Sequence, residues 1–358
     1  MGILHKFFSD CVDNLYYLQA NKKTCNIFLK DELFDGNKYT IDEFYEKNKF
    51  YYDRPGEFYK EFSYPGSLNL DDGFHFNALD KHHAEKYPYL PYVFDSPVKT
   101  KWEETNLVPF RWFCNKERKS RILLLFSSGW ARPNLNLEKF FCAYLQKNGI
   151  DAGLMSVPYH QERAPQGSYS GEYFISSNVF WTATNFRHYV AEIRLLIQYM
   201  RNQYDYIGII GMSCGGFSAG IAVNVEKVDF YFPLITGAQL GSIIWESKIT
   251  SFVKRDLIKK GIDQTNANKV LAIGDQLFLG RNSKAHYIKQ YISLYDKIVP
   301  TKYQYLLWEV YNKPEKLELE CGHISIAFFM KKVADDITDY VKKRINPVSK
   351  IQWSQQKR

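Results

Sequence analysis

Paired cysteines at metal-ligand spacing are missing from this chain of 358 residues. Cys11, Cys25, Cys114, Cys142, Cys214 and Cys321 form no C-x-x-C pair. Reduced thiols are therefore expected, and neither a metal site nor a disulfide framework is. No apolar run approaches the roughly 18 residues of a membrane helix. The first twenty residues, MGILHKFFSDCVDNLYYLQA, lack a basic start followed by a continuous apolar stretch, and Lys6 stands where a myristoylation signal carries Ser or Thr. A cytoplasmic location is the expectation. Internal repeats, low-complexity tracts and blocks of like charge are also absent. The 47 Lys and Arg against 39 Asp and Glu give a formal charge of +8, but they are scattered. Nucleic-acid binding needs a concentrated basic patch, so it is not expected. Peripheral contact with an anionic membrane, or an acidic substrate, stays compatible with the charge. What is present is the composition of a folded protein, 45% hydrophobic and 24% charged, with an unusual 17% of aromatic residues.

The texture changes near residue 95. Residues 1–95 are rich in Tyr, Phe, Asp and Lys without clean periodicity, as in FYEKNKFYYD, and read as an N-terminal extension, either a lid or a packing segment. From 96 to 345 strand and helix signals alternate, and a polar tail follows over 346–358. Pro97–Phe113 reads as two short extended pieces around a turn. Arg121–Phe126 (RILLLF) reads as a buried strand and Asn136–Gly149 as a helix with its stop; Gly153–Val157 is a strand. Val190, Ile193, Leu196, Ile197 and Met200 repeat at helical spacing before a strand at Tyr204–Ile210. Further strands are expected at Phe230–Ile235, Ile288–Leu294 and Lys316–Leu319. Residues 238–285, helical and without a strand, fit a cap. This order predicts an α/β fold with a mostly parallel sheet and ligand crevices at the carboxyl ends of its strands.

Directly after Tyr204–Ile210 stands Gly211-Met212-Ser213-Cys214-Gly215, followed by Gly216 and the small residues Ser218, Ala219 and Gly220. A G-x-S-x-G between strand and helix holds its serine on a tight, strained turn with the oxygen exposed. Ser213 is thus a candidate nucleophile. The amide of Cys214, at the helix start, is a candidate oxyanion donor.

These features resemble the α/β-hydrolase superfamily, and residues 97–345 follow its element order. The resemblance implies a central sheet flanked by helices and a serine hydrolase with an acid and a histidine later in the chain, in the order Ser, Asp, His. Asp296, in YDKIVP, is similar to the D-x-x-V-P turn of many members; Asp275 is the alternative. His323, in LELECGHIS, matches the Gly-His pair that carries the family's base. The second oxyanion donor is expected in the loop SSGWARPN, at the amide of Trp130 or else of Gly129 or Ala131; this sequence departs there from the family's His-Gly or multi-glycine stretch. A further signature, Pro158–Pro165 with Gly171 and Glu172, resembles a bacterial subset related to the animal "alpha/beta hydrolase domain-containing" proteins. From it, Tyr159, His160 and Arg163 are substrate-binding candidates, His160 and Arg163 together with Glu172 for a polar or anionic head, while an Arg163–Glu172 ion pair pinning the loop is the favoured structural reading. Tyr159, Trp181 and Phe186 are candidates for an acyl pocket. Cleavage of a small or lipid carboxylic ester or thioester through an acyl-serine, with no cofactor or metal, is the expected activity. A non-catalytic binding scaffold and a peptidase are the alternatives.

Overall fold

Runs such as ILLLF and YIGII carry apolar side chains at nearly every position, a pattern buried only when a strand is covered on both faces. The computed structural model of the chain describes residues 2–20, 40–59, 69–70, 86–115 and 120–345. Its helices begin with α1 (Gly2–Ala20), α2 (Ile41–Lys47), α3 (Lys49–Asp53) and α4 (Pro55–Phe58). The strands are β1 (Asn69–Leu70), β2 (Leu90–Asp95), β3 (Leu107–Phe113), β4 (Ile122–Ser127), β5 (Asp151–Met155), β6 (Tyr206–Met212), β7 (Val228–Leu234), β8 (Ala285–Ser293) and β9 (Glu315–Leu319). They form one sheet of order β1-β2-β3-β5-β4-β6-β7-β8-β9. β1, β2 and β3 pair antiparallel with their neighbours, and the pairs from β5 to β9 are parallel.

The sheet begins before residue 95, because β2 pairs along its whole length with β3. The first extended piece expected within Pro97–Phe113 is instead irregular chain and a 3₁₀ turn at Glu103–Asn106. Pro91 within β2 weakens the strand signal there; proline is tolerated near the sheet's edge, where one fewer ladder donor is needed. The tail 346–358 and much of the N-terminal extension lie outside the described residues.

Between the strands run α5 (Asn136–Lys147), α6 (Val179–Met200) and α7 (Cys214–Val225). After them come α8 (Leu240–Glu246), α9 (Ser251–Lys259), α10 (Gln264–Leu271) and α11 (Gln276–Leu279), then α12 (Thr301–Val310) and α13 (Met330–Arg344). Gly149, at φ 83°, ends α5 in the left-handed conformation that glycine reaches without strain. Asn178 caps α6 by accepting the Trp181 amide. The pleat of the strands divides the core. Leu123, Leu125, Ile207 and Ile209 join Val190, Ile193 and Ile221 of α6 and α7 on one face. Leu124, Phe126, Ile210 and Phe232 meet Phe141, Val333 and Ile337 of α5 and α13 on the other. From β4 the chain crosses outward to β5 and then back past β4 to β6. A crevice opens at the carboxyl ends of strands at such a reversal, and the loops after β4 and β6 meet there. Among the described residues no helix is long and apolar enough to cross a membrane.

Candidate active site

Ser213 follows β6 and precedes α7 at φ 54°, ψ −123°, a conformation rare for any residue with a side chain. The surroundings over-determine it. Its amide donates to the Leu234 carbonyl (2.9 Å), and Gly215 passes so close to the loop after β4 that an added Cβ would lie 2.2 Å from the Ser128 oxygen. Ser213 Oγ lies 2.8 Å from His323 Nε2, and His323 Nδ1 lies 2.7 Å from Asp296 Oδ2. A carboxylate at Nδ1 fixes the proton on that nitrogen and leaves Nε2 to accept from the serine hydroxyl. Asp296 is buried and satisfied. Oδ1 accepts the amides of Ile298 (2.8 Å) and Val299 (2.9 Å), and Oδ2 also accepts Gln304 Nε2 (2.9 Å). Asp275, the alternative acid, is committed elsewhere, capping α8 through the Gln239 and Leu240 amides and α11 through the Leu277 amide. Burial raises its carboxyl above the usual range against those three amides.

The Cys214 amide stands in the first turn of α7, where helix geometry gives an N–H no intrahelical acceptor. Burial pushes the Cys214 thiol up, so the neutral thiol faces the site. Gly129 and Trp130 run alongside Ser213; a Cβ on Gly129 would sit 3.4 Å from the serine Cβ. The whole 127–132 loop is braced. Ser127 Oγ donates to the Gly215 carbonyl (2.9 Å), Trp130 Nε1 to the Gly171 carbonyl (2.7 Å), and Gln161 Nε2 to the Arg132 carbonyl (2.6 Å). Ala131, at φ 57°, gives its amide to His160 Nε2 (3.0 Å). That bond removes Ala131 from the candidate donors and leaves Trp130 or Gly129.

Ser213 and His323 open into a cavity of about 220 Å³. Its walls are largely aliphatic, with Leu240, Ile243 and Ile244 from α8 and Ile298, Val299 and Ile324 from the loops that carry Asp296 and His323. Among the described residues no carboxylate lines it, and Arg132 is its one permanently charged side chain, paired with the buried Glu138 at 3.1 Å. Among the described residues, too, no group of three or more His, Cys, Asp or Glu is arranged to hold a metal ion.

No protein-family model and no curated protein sequence matches the chain. Solved structures do. An acetyl xylan esterase from Paenibacillus sp. R4 superposes with a TM-score of 0.55 at 14% identity, covering 79% of this chain and 93% of that one. Acetyl xylan esterase 1 from Thermoanaerobacterium sp. JW/SL YS485 gives 0.52 at 13%, covering 80% and 93%. A Pyrococcus horikoshii acylaminoacyl peptidase gives 0.52 at 14%, covering 75% of this chain and 44% of its own. This chain has the α/β-hydrolase fold. In α/β-hydrolase terms Ser213 occupies the strand-to-helix elbow, and Asp296 and His323 follow β8 and β9.

The three substrate-binding candidates lie away from the cavity. Tyr159 is buried among Trp102, Tyr173 and Trp181. His160 has no exposed surface; its Nδ1 donates to the Pro158 carbonyl (2.8 Å) and its Nε2 accepts from Ala131. Burial lowers its pKa to about 4, so it is the neutral acceptor this geometry requires. Arg163 is wholly buried and pairs with Glu192, not Glu172, through bonds of 2.6 and 2.8 Å. It also donates to the carbonyls of Ser156 (2.8 Å) and Thr105 (2.6 Å). Glu172 instead accepts the Tyr169 amide. Tyr159, Trp181 and Phe186 pack in the core, so the aromatic rings that line the largely aliphatic cavity are Trp130 and Phe217 instead. One residue at the site carries no signal in the sequence. Asp13 of α1 accepts the backbone amides of His323 (3.1 Å) and Ile324 (3.0 Å), from a stretch with no motif to mark it.

Proposed function

We propose that the protein is a serine hydrolase that cleaves carboxylic esters or thioesters of uncharged, apolar acyl groups. The observation that carries this reading is the hydrogen-bonded series Ser213, His323, Asp296 at the head of an aliphatic cavity. Ser213 Oγ attacks the acyl carbon while His323 Nε2 takes its proton, and Asp296 stabilises the imidazolium that forms. The oxygen of the tetrahedral intermediate gains negative charge beside the amides of Cys214 and Trp130, which serve as its donors. Collapse breaks the bond to the alcohol or thiol, which leaves with the proton from Nε2. Water then repeats the sequence on the acyl-serine and releases the acid. The esterase neighbours agree with this chemistry. Cleavage of peptides from their amino terminus is disfavoured, because no carboxylate among the described residues lines the cavity to hold an ammonium group.

The test is hydrolysis of p-nitrophenyl esters from acetyl to palmitoyl, with Ser213→Ala as control. kcat/KM should rise from acetyl towards medium chains, by up to about 4-fold per buried methylene at roughly 0.8 kcal/mol each, and Ser213→Ala should fall to background. Turnover that persists in Ser213→Ala would contradict the mechanism. A preference for charged acyl groups would contradict the substrate class.

A further inference from the structure

Helix α1 reaches the reacting residues from the far end of the chain. Asp13 is 1% exposed, and both of its carboxylate oxygens are spent on the backbone of the base-bearing loop, Oδ2 on the His323 amide and Oδ1 on the Ile324 amide. The approach is close: a Cβ on Gly322 would fall 2.5 Å from Asp13 Oδ2. One turn earlier, Ser9 Oγ accepts from Ser325 Oγ (3.1 Å), whose own oxygen accepts the Gly322 amide (2.8 Å). On the same helix Asp10 pairs at 2.6 Å with Lys297, the residue after Asp296. Phe8 also packs its ring on Phe328, 5.6 Å between centroids. A single helix therefore holds both the loop that carries the base and the loop that carries the acid.

We propose that Asp13 is a positioning residue of the active site, fixing the backbone at His323 so that Nε2 lies in line with Ser213 Oγ. The proposal rests on the serine-hydrolase reading and extends it to a residue in the N-terminal helix. The His323 ring can turn about its side-chain bonds, so where Nε2 points depends on the backbone that carries the ring as well as on the bonds to Asp296 and Ser213. Without Asp13 the buried His323 amide and the part-buried Ile324 amide lose their acceptor, and each would draw water or shift the loop. Misplacement by about 1 Å costs on the order of 100-fold in rate. A carboxylate suits the position because it accepts from two parallel N–H groups at once, whereas an amide side chain turns one of its ends into a donor.

The experiment compares wild type, Asp13→Asn and Asp13→Ala as full-length proteins, using the p-nitrophenyl ester that wild type hydrolyses best. Active sites are counted by fluorophosphonate titration, and melting curves confirm that each variant is folded at the assay temperature. The expected result is a kcat per titrated site roughly 10- to 100-fold lower for Asp13→Ala, with KM within about twofold and Asp13→Asn in between, since it keeps one acceptor. Asp13→Asn has the same shape and decides the matter by itself if Asp13→Ala does not fold. A kcat per site within about twofold of wild type, even with a lowered melting point, overturns the proposal and leaves the Ser213 reading intact. A folded wild type that neither titrates nor turns over overturns both.

Discussion

Replacing Arg163 with leucine removes one half of a wholly buried ion pair and leaves Glu192 facing only His188 (2.9 Å) and Ser96 (2.6 Å). Burial opposes ionisation of Glu192, but the Arg163 guanidinium and then His188 outweigh it and hold the carboxyl down to about 2. A carboxyl so depressed contributes stability above about pH 4, and that stability is lost as pH falls towards 2. Without Arg163 the sign reverses. Burial then outweighs what His188 and Ser96 supply, the carboxyl rises, and the cost grows as pH rises above about 4. Breaking such a pair costs about 3–5 kcal/mol. The urea slope for a chain of this size is about 3 kcal/mol per M, so the midpoint at pH 7.5 should drop by about 1–1.7 M. The gap should narrow as the titration is repeated towards pH 5, and adding Glu192→Gln should recover part of it. The assay is urea unfolding by tryptophan fluorescence, with KM measured on each folded variant. A midpoint within about 0.3 M of wild type would show that the pair contributes little, and a KM raised tenfold with stability unchanged would return Arg163 to the role of substrate contact.

His160→Ala removes the acceptor of the Ala131 amide and frees the loop that carries Trp130, so kcat should fall roughly 10- to 100-fold with KM within about twofold. Steady-state kinetics decide this, and a raised KM at constant kcat would mean that His160 touches substrate after all. Asp151 is held at a pKa of about 6 by burial, against the Tyr204 hydroxyl that donates to it at 2.8 Å. Its folded value lies above the unfolded one of about 3.9, so it is least unfavourable when protonated and costs stability as pH rises from 4 to 6. Asp151→Asn should therefore gain on wild type in melting temperature across that interval and keep the gain to pH 8. A pH-independent difference would contradict the assignment.

What could be read from the sequence was local. The elbow at Ser213 needs only a strand, a tight turn and a helix within fifteen residues, all of them visible in YIGIIGMSCGGFSAG. Asp296 and His323 sit at the ends of strands in short turns whose order along the chain is itself informative. What could not be read depends on packing. Asp13 meets the His323 amide across 310 residues of chain, and nothing in SDCVDN marks it as a partner. Arg163 and Glu172 suggest a pair by proximity, yet the guanidinium turns inward to Glu192, because α6 brings that carboxylate under the loop. The aliphatic wall comes from Ile243, Ile298 and Ile324, on three separate segments. None of these is distinguishable from ordinary core residues until the chain is folded.

Ser213 as the nucleophile is the claim on which the proposed activity depends. A fluorophosphonate probe followed by peptide mapping and mass spectrometry should place a single adduct on Ser213 of the wild type. It should find none in Ser213→Ala and a rate lowered by at least about 1,000-fold in His323→Ala. An adduct on another residue, or a folded wild type that takes up no probe, would contradict a nucleophilic Ser213.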